Sequence, residues 1–296
     1  MRIPSPVVLL LVAVAGCAPP PDPPPAAVAA TAPVAPPPEP APEALPPVPG
    51  HAGPLEPITG PVELRYAPAA FRMTVTVSVS DAPGTPPSTL TARVEGRIAG
   101  TGPTLQATLV TAEPEIDGRP AGAGRRLVQD IAMTPKGALL DLQARMEDGA
   151  PVPDAMRPLE ARWRERLPEF RPGPVAAGDD LFLGNDPLAP LRQMLRDQAY
   201  GLTVGQPFRL VARGETPCGS GRCLVAERQG AAVLESPGRR LDVTLAGHAL
   251  VDLATGLVVD ALDTVELTDP KAAAGAGRLT MTVRTATELR KAEGGA

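Results

Sequence analysis

Polar and apolar residues alternate along much of this chain, and this alternation constrains its fold more than any other feature. The first such segment covers residues 71–79, in which every second residue is apolar. Successive side chains of a β-strand point to opposite faces of a sheet, so the pattern predicts strands with one buried face. It recurs at 90–98, 105–109, 241–253 and 279–283.

Short runs of turn-forming residues separate these segments. Gly, Pro and Asp cluster at 81–84, 100–103 and 135–137, where a tight turn between antiparallel strands needs them. We therefore predict ten or eleven antiparallel strands in two groups, one within residues 62–147 and one within residues 207–285.

Residues 154–200, between the two groups, show a helical period instead. Apolar residues recur every three or four positions in two stretches, 155–167 and 186–199. Asp154 is a candidate N-cap for the first stretch, and Gly201 is placed to end the second. The two apolar stripes comprise Met156, Leu159, Trp163 and Leu167, and then Leu188, Leu191, Leu195 and Ala199, with Met194 beside the second stripe.

This order of elements predicts an α+β, β-rich fold for a globular domain covering residues 51–296. The expected architecture is a curled antiparallel sheet or half-barrel of two similar halves, with two helices inserted between them. The helices would pack on the apolar strand faces. Their side chains then either complete the core or line an apolar pocket, and both interpretations stay open for Met156, Leu159, Trp163, Leu191, Met194 and Leu195.

Proline dominates the region before the domain. Residues 18–50 contain fifteen prolines, which fix φ and remove backbone donors, so neither helix nor sheet can form there. A polyproline II segment of this length reaches about 100 Å. We interpret residues 17–50 as a stiff tether. The alternative is a recognition motif at 36–38.

The chain begins with an apolar run at residues 7–15 that is too short to cross a bilayer, since nine helical residues rise only about 14 Å. Its end, Val14-Ala15-Gly16-Cys17, resembles the lipobox of bacterial lipoproteins. The resemblance implies that residues 1–16 are a signal peptide and that Cys17 becomes the lipidated N-terminus. It also implies the outer membrane, facing the periplasm, because Ala18 and not Asp follows. An ordinary secretory signal with an incidental cysteine is the alternative.

With Cys17 lipidated, Cys218 and Cys223 remain as a pair. They flank a four-residue loop with two glycines, between two predicted strands. In an exported protein such a pair predicts a structural disulfide bond. A redox or metal site is the sharper alternative, but redox pairs are usually separated by two residues at a helix N-terminus.

Composition excludes several functions. A net charge of -5, a pI near 5.2 and 2% aromatic residues do not suit nucleic-acid binding. No catalytic, phosphate-binding or dinucleotide-binding motif occurs, so we expect no catalytic residues, no cofactor and no metal. Alternation places His248 on a polar strand face, as a surface or network residue. Nearby acids are expected to be solvated: Asp252, Asp260, Asp263 and Glu266.

These features together predict a non-enzymatic, lipid-anchored lipoprotein of the bacterial envelope. Its expected activity is to bind a lipid or another apolar ligand in a cavity between sheet and helices. The alternative is a structural or assembly scaffold that contacts another envelope protein at the end of the tether. The membrane, through the N-terminal lipid, is the expected partner in either case.

Overall fold

The computed structural model describes residues 45–80, 86–121, 124–153, 166–183, 201–219, 221–236, 239–272 and 277–290. Fourteen strands lie in these ranges: β1 (Ala69–Ser80), β2 (Ser88–Ala99), β3 (Leu105–Ala112), β4 (Glu115–Ile116), β5 (Arg119–Pro120), β6 (Arg126–Met133), β7 (Leu139–Met146), β8 (Glu169–Phe170), β9 (Phe182–Leu183), β10 (Gly201–Cys218), β11 (Gly221–Ser236), β12 (Arg239–Asp252), β13 (Val258–Thr268) and β14 (Arg278–Arg290).

Ten of the strands form one continuous antiparallel path. Its order is β10-β11-β12-β13-β14-β1-β2-β3-β6-β7, with the small strands β4 and β5 attached beside β2. The predicted halves of the chain are therefore one sheet, because β14 pairs with β1 along its length, from Ala70 opposite Arg290 to Ser80 opposite Thr280. Alternation predicted most of these strands, but β10 begins at Gly201, which the sequence predicts as the end of a helix and which precedes the predicted second group at 207–285.

The predicted α+β class is wrong, because the described residues contain strands and no helix. The helical stretches 155–167 and 186–199 lie almost wholly outside the described residues. Between them, residues 166–183 run as extended backbone with the short hairpin β8–β9. Prolines at 168, 172 and 174 explain this extended path, since each lacks a backbone N–H and disfavours helix at the preceding residue.

The sheet is strongly curled, as three backbone hydrogen bonds demonstrate. Phe170 N donates to Lys136 O in the β6–β7 turn, Arg171 N donates to Leu181 O, and Leu181 N donates to Leu210 O in β10, at 2.7, 2.9 and 3.0 Å. Each step spans one strand spacing, so β10 lies about 15 Å from that turn. In a flat sheet the same strands would be eight spacings apart, about 38 Å. The hairpin β8–β9 therefore closes one end of the curl.

The segment before β1 packs at this closed end. Glu56 and Glu215 of β10 exchange backbone hydrogen bonds, and Val62 and Val175 do the same. Further on, Tyr66 N donates to Pro135 O and its hydroxyl donates to Pro168 O. Packing extends back to Val48, which is buried. These contacts lie within the compact unit Ala44–Ala296.

None of the described residues forms a helix of the length and apolar character required to span a bilayer.

Candidate functional site

Among the described residues, the inner face of the sheet, which carries Phe71, Leu109, Ala226 and Ala249, has two large apolar clusters at opposite ends of its strands, and a smaller one lies around Leu127 and Met146. We call the two large clusters the proximal and the distal cluster. The proximal cluster lies at the end closed by β8–β9 and includes Phe71, Met73, Leu109, Ile131, Leu224, Ala249 and Val251. The distal cluster comprises Ala232, Leu234, Leu241, Val243, Leu245, Val265, Leu267 and Met281, with Val77, Val79, Phe208, Leu279 and Val283 packed against it.

Chain segments outside the large sheet fill the proximal cluster. Tyr66, Phe170 and Phe182 belong to it, with ring centroids 4.9 and 5.1 Å apart in succession. The sheet makes room for them with small side chains, because four neighbouring strands place alanine in one row. These residues are Ala212, Ala226, Ala249 and Ala261. This end of the inner face is thus an ordinary protein core.

The distal cluster differs in its composition. Its members in the described part of the chain all lie on strands β1 and β10–β14, and no described loop contributes an apolar side chain to it. On β11 the cluster contains Ala232 and Leu234, and Leu234 lies six residues, or about 20 Å, from the charged residue Arg228. That is the scale of an extended acyl chain.

An ion pair separates the two clusters. Arg228 of β11, Gly247 of β12 and Asp263 of β13 lie side by side in register on the inner face. Arg228 Nε is 2.9 Å from Asp263 Oδ1, and the two side chains are only 12% and 16% exposed. The two atoms lack the alignment of a hydrogen bond and have no other hydrogen-bond partner among the described residues. A pair of charges with incomplete hydrogen bonding is costly in such surroundings.

Gly247 allows this arrangement. A Cβ atom at this position would lie 2.2 Å from Leu262 O and 2.6 Å from Asp263 Oδ1. Those distances are far inside van der Waals contact, so any larger residue would push Asp263 and its strand away. The glycine therefore lets the Asp263 carboxylate lie across β12 toward Arg228.

Burial perturbs the Asp263 carboxyl. Desolvation raises its pKa, and the nearby charges of Arg228 and His248 offset only part of this effect. A raised pKa in the folded state means that this group stabilises the fold most below the pKa of an unfolded aspartate, about 3.9. The contribution is lost as the pH rises through the folded pKa. Neutral Asp263 is therefore easier to form here than at the surface.

His248 lies on the opposite, outer face of the sheet. The alternation of β12 predicted this face, but the residue is buried because residues 48–51 cover it. Its Nδ1 is 3.2 Å from Pro49 O and its Nε2 is 3.3 Å from Asp260 Oδ2. The Pro49 carbonyl and the Asp260 carboxylate therefore face the two ring nitrogens. His248 is thus a network residue that holds the segment before β1 on the sheet.

The structure contains the predicted bond between Cys218 and Cys223, with Cα atoms 5.8 Å apart. Asp252 lies beside it, and the two sulfurs and a carboxylate oxygen fall within 4.8 Å of one another. This carboxylate holds the β12–β13 turn, because Oδ1 accepts hydrogen bonds from Thr255 N and Thr255 Oγ1, each at 2.7 Å. Sulfurs joined in a disulfide are not thiolate ligands, so the group is structural.

Removing this bond is expected to cost about 2 kcal/mol of unfolding free energy, the chain-entropy value for so short a loop. Urea unfolding of the variant with both Cys218→Ser and Cys223→Ser, followed by circular dichroism, measures the loss. The reduced wild-type protein should show the same shift in midpoint. A midpoint that does not move in either sample would contradict a stabilising bond.

The predicted site residues had different outcomes. Cys17 lies outside the described residues, and so do all six residues of the predicted pocket or core: Met156, Leu159, Trp163, Leu191, Met194 and Leu195. Leu167, at the end of the first stripe, is buried in the proximal cluster. The expectation of solvated acids is wrong for Asp252, which is fully buried, and for Asp263, which is mostly buried.

Sequence reasoning missed Arg228 and the burial of Asp263, although the alternation contained a signal. Arg228 shares its strand face with Ala226 and Ala232, and Asp263 shares its face with Ala261 and Val265. A single charge in an otherwise apolar alternation predicts a buried ion. The partner of each charge, however, depends on strand register.

Comparisons with known proteins add little. No family model matches the sequence, and no curated protein matches it. Seven chains of known structure match. One is the crystal structure of a DUF1329 family protein from Desulfovibrio piger, which is 13% identical over 78% of this chain and 88% of that chain, with a TM-score of 0.25. A similarity at that TM-score carries no argument about fold or function.

Proposed function

We propose that this protein is a non-enzymatic, lipid-anchored lipoprotein of the bacterial envelope that binds an acyl chain against the distal cluster. Of the predicted tether 17–50, the part before Ala44 would hold the domain away from the outer membrane, in the periplasm, because the chain packs on the domain from Val48 onward. The observation that carries the proposal is the second apolar cluster on the inner face, which the Arg228–Asp263 ion pair separates from the proximal core.

Chemistry supports an apolar ligand at the distal end. The cluster consists of aliphatic side chains with Met281 and Phe208, and an acyl chain packed among them would gain about 25 cal/mol for each Å² of its own apolar area removed from water. Aliphatic side chains select for apolar surface and not for a particular shape, which suits a flexible acyl chain. The ion pair Arg228–Asp263 bounds this surface on its proximal side.

The proposed compartment agrees with the disulfide. Disulfide bonds persist in oxidising compartments such as the bacterial periplasm and are rare in the cytosol. The bond between Cys218 and Cys223 therefore supports the export that the lipobox resemblance implies.

Two alanines on the same face of β11 provide a matched test. Ala232 lies in the distal cluster and Ala226 in the proximal cluster, and both are buried. In the full chain carrying Cys17→Ser, Ala232→Phe is expected to fill the ligand space. Native mass spectrometry should then show at least tenfold less bound lipid, with a stability change below about 1 kcal/mol. Ala226→Phe overpacks a filled core and should cost about 1–3 kcal/mol or more.

The opposite result would contradict the proposal. If the purified wild-type chain contains no lipid and binds no added acyl compound, the distal cluster is ordinary core. In that case Ala232→Phe should destabilise the protein about as much as Ala226→Phe.

A further inference from the structure

We infer that Arg228 is the head-group site for the proposed ligand, and that the ligand is an amphiphile with one acidic head group, a fatty carboxylate or a lipid phosphate. This inference rests on the proposed function and specifies its ligand class. Arg228 lies at the boundary of the distal cluster, on the same strand face as Ala232 and Leu234. A head group at Arg228 therefore places the acyl chain along the distal strands.

Arg228 has a buried donor that no described residue uses for a hydrogen bond, which is a first reason to place the head group there. Its Nε has no aligned hydrogen bond, although its side chain is only 12% exposed. A buried guanidinium offers five donors in a fork that matches a carboxylate or a phosphate. Asp263 contacts it in a geometry that leaves both Arg228 Nε and Asp263 Oδ1 without a hydrogen bond. An acidic ligand can supply the bonds that Asp263 does not.

Charge balance is the second argument. With no ligand, Arg228 and Asp263 neutralise each other. A bound anionic head group adds one negative charge to this buried row, where an uncompensated charge is costly. Protonation of Asp263 restores neutrality, and burial already favours the neutral carboxyl. Binding of an acid in its ionised form should therefore take up about one proton from the solvent.

The geometry of the row is the third argument. Gly247 lies between Arg228 and Asp263 and carries no side chain, so the Asp263 carboxylate can lie over it toward Arg228. The next row toward the distal end has Gly230 in β11 beside Leu245 in β12, and the Phe208 ring packs over Gly230. Apolar side chains therefore border the charged row on its distal side.

The test compares three probes that share one chain: dodecanoate, dodecyl phosphate and dodecanol. Titration calorimetry of the full chain carrying Cys17→Ser, in buffers of different ionisation enthalpy, gives affinities and proton uptake together. We expect one or both acidic probes to bind at least tenfold more tightly than dodecanol, with uptake of about one proton. The two acidic arms show whether carboxylate or phosphate is preferred.

Variants assign the effect to the two residues. Arg228→Gln combined with Asp263→Asn leaves a neutral pair of similar shape and should abolish the preference for acids while dodecanol still binds, which also shows that the variant is folded. Asp263→Asn alone should bind acids without proton uptake. Arg240→Gln is the control, because Arg240 forms an exposed pair with Asp242 on the outer face.

The outcomes separate the two hypotheses. If all probes bind the wild-type chain equally well, or if the double variant keeps the preference for acids, the head-group assignment is wrong and the acyl site stands. If no probe binds the wild-type chain, the proposed function fails and the assignment fails with it.

Discussion

Replacing Cys17 with serine is expected to move the protein from the membrane fraction to the soluble fraction. Serine has no thiol to form the thioether bond, so the mature chain would lack its diacylglycerol. Each buried methylene contributes about 0.8 kcal/mol to membrane binding, and stable anchoring takes more than one chain. Losing all chains should therefore change the distribution from nearly all bound to nearly all soluble.

Fractionation of cells and mass analysis of the mature N-terminus measure this result. The matched control is the variant with both Cys218→Ser and Cys223→Ser, which removes the other two thiols and should stay with the membranes. If Cys17→Ser still sediments with membranes in high salt, the proposed lipid anchor is wrong. An unmodified Cys17 in the wild-type protein would contradict it equally.

The second large effect is expected from Gly96→Val. Gly96 of β2 lies directly opposite Phe71 of β1, and the buried ring covers it. A Cβ atom at this position would lie 2.1 Å from the Phe71 ring. Phe71 would have to leave the proximal cluster, which should lower the unfolding free energy by at least about 3 kcal/mol.

Urea unfolding checks this value against two further variants. Gly219→Val is the control, because no atom lies within 4 Å of the corresponding Cβ position, and its effect should be small. Combining Gly96→Val with Phe71→Ala removes the ring that collides. The double variant should then be no less stable than Phe71→Ala alone, a clear departure from additivity. Simple additivity would show that the clash is not the cause.

The inner face of the strands could be predicted because its signal is local. Phe71, Met73, Val77 and Val79 alternate in sequence, and all four point to the inner face, where they join the two clusters. The pleat of a strand alone imposes this period, without any long-range contact. The turns could also be predicted, because glycines and prolines cluster in them.

The wrong class had a different origin. The predicted helices at 155–167 and 186–199 lie almost wholly outside the described residues, and the described segment between them, 166–183, is extended around the short hairpin β8–β9. Predicting the fold class required knowing which chain segments pack against the inner face of the sheet. In the described structure Tyr66 and Phe170, from extended segments, occupy the proximal end. Nothing in their local sequence distinguishes them from ordinary loop residues.

The candidate site depended most on tertiary structure. Arg228 lies on β11 and Asp263 on β13. The two residues meet because both strands pair with β12, one on either side of Gly247. Pro49 meets His248 across 199 residues of sequence. Strand register and the curl of the sheet decide which residues meet, and these contacts cannot be predicted from the types of the residues involved.

The amino-acid sequence thus determined where strands form and which side of each is apolar, because the pleat acts on neighbouring residues. It also predicted the bond between Cys218 and Cys223, whose loop is short enough to be judged locally. The sequence also predicted a curled sheet of two halves, but only the tertiary structure decided that β14 pairs with β1 to join them and that β8–β9 closes one end. Burial of charge follows from that curl, since a side chain loses its water only when distant parts of the chain close over it.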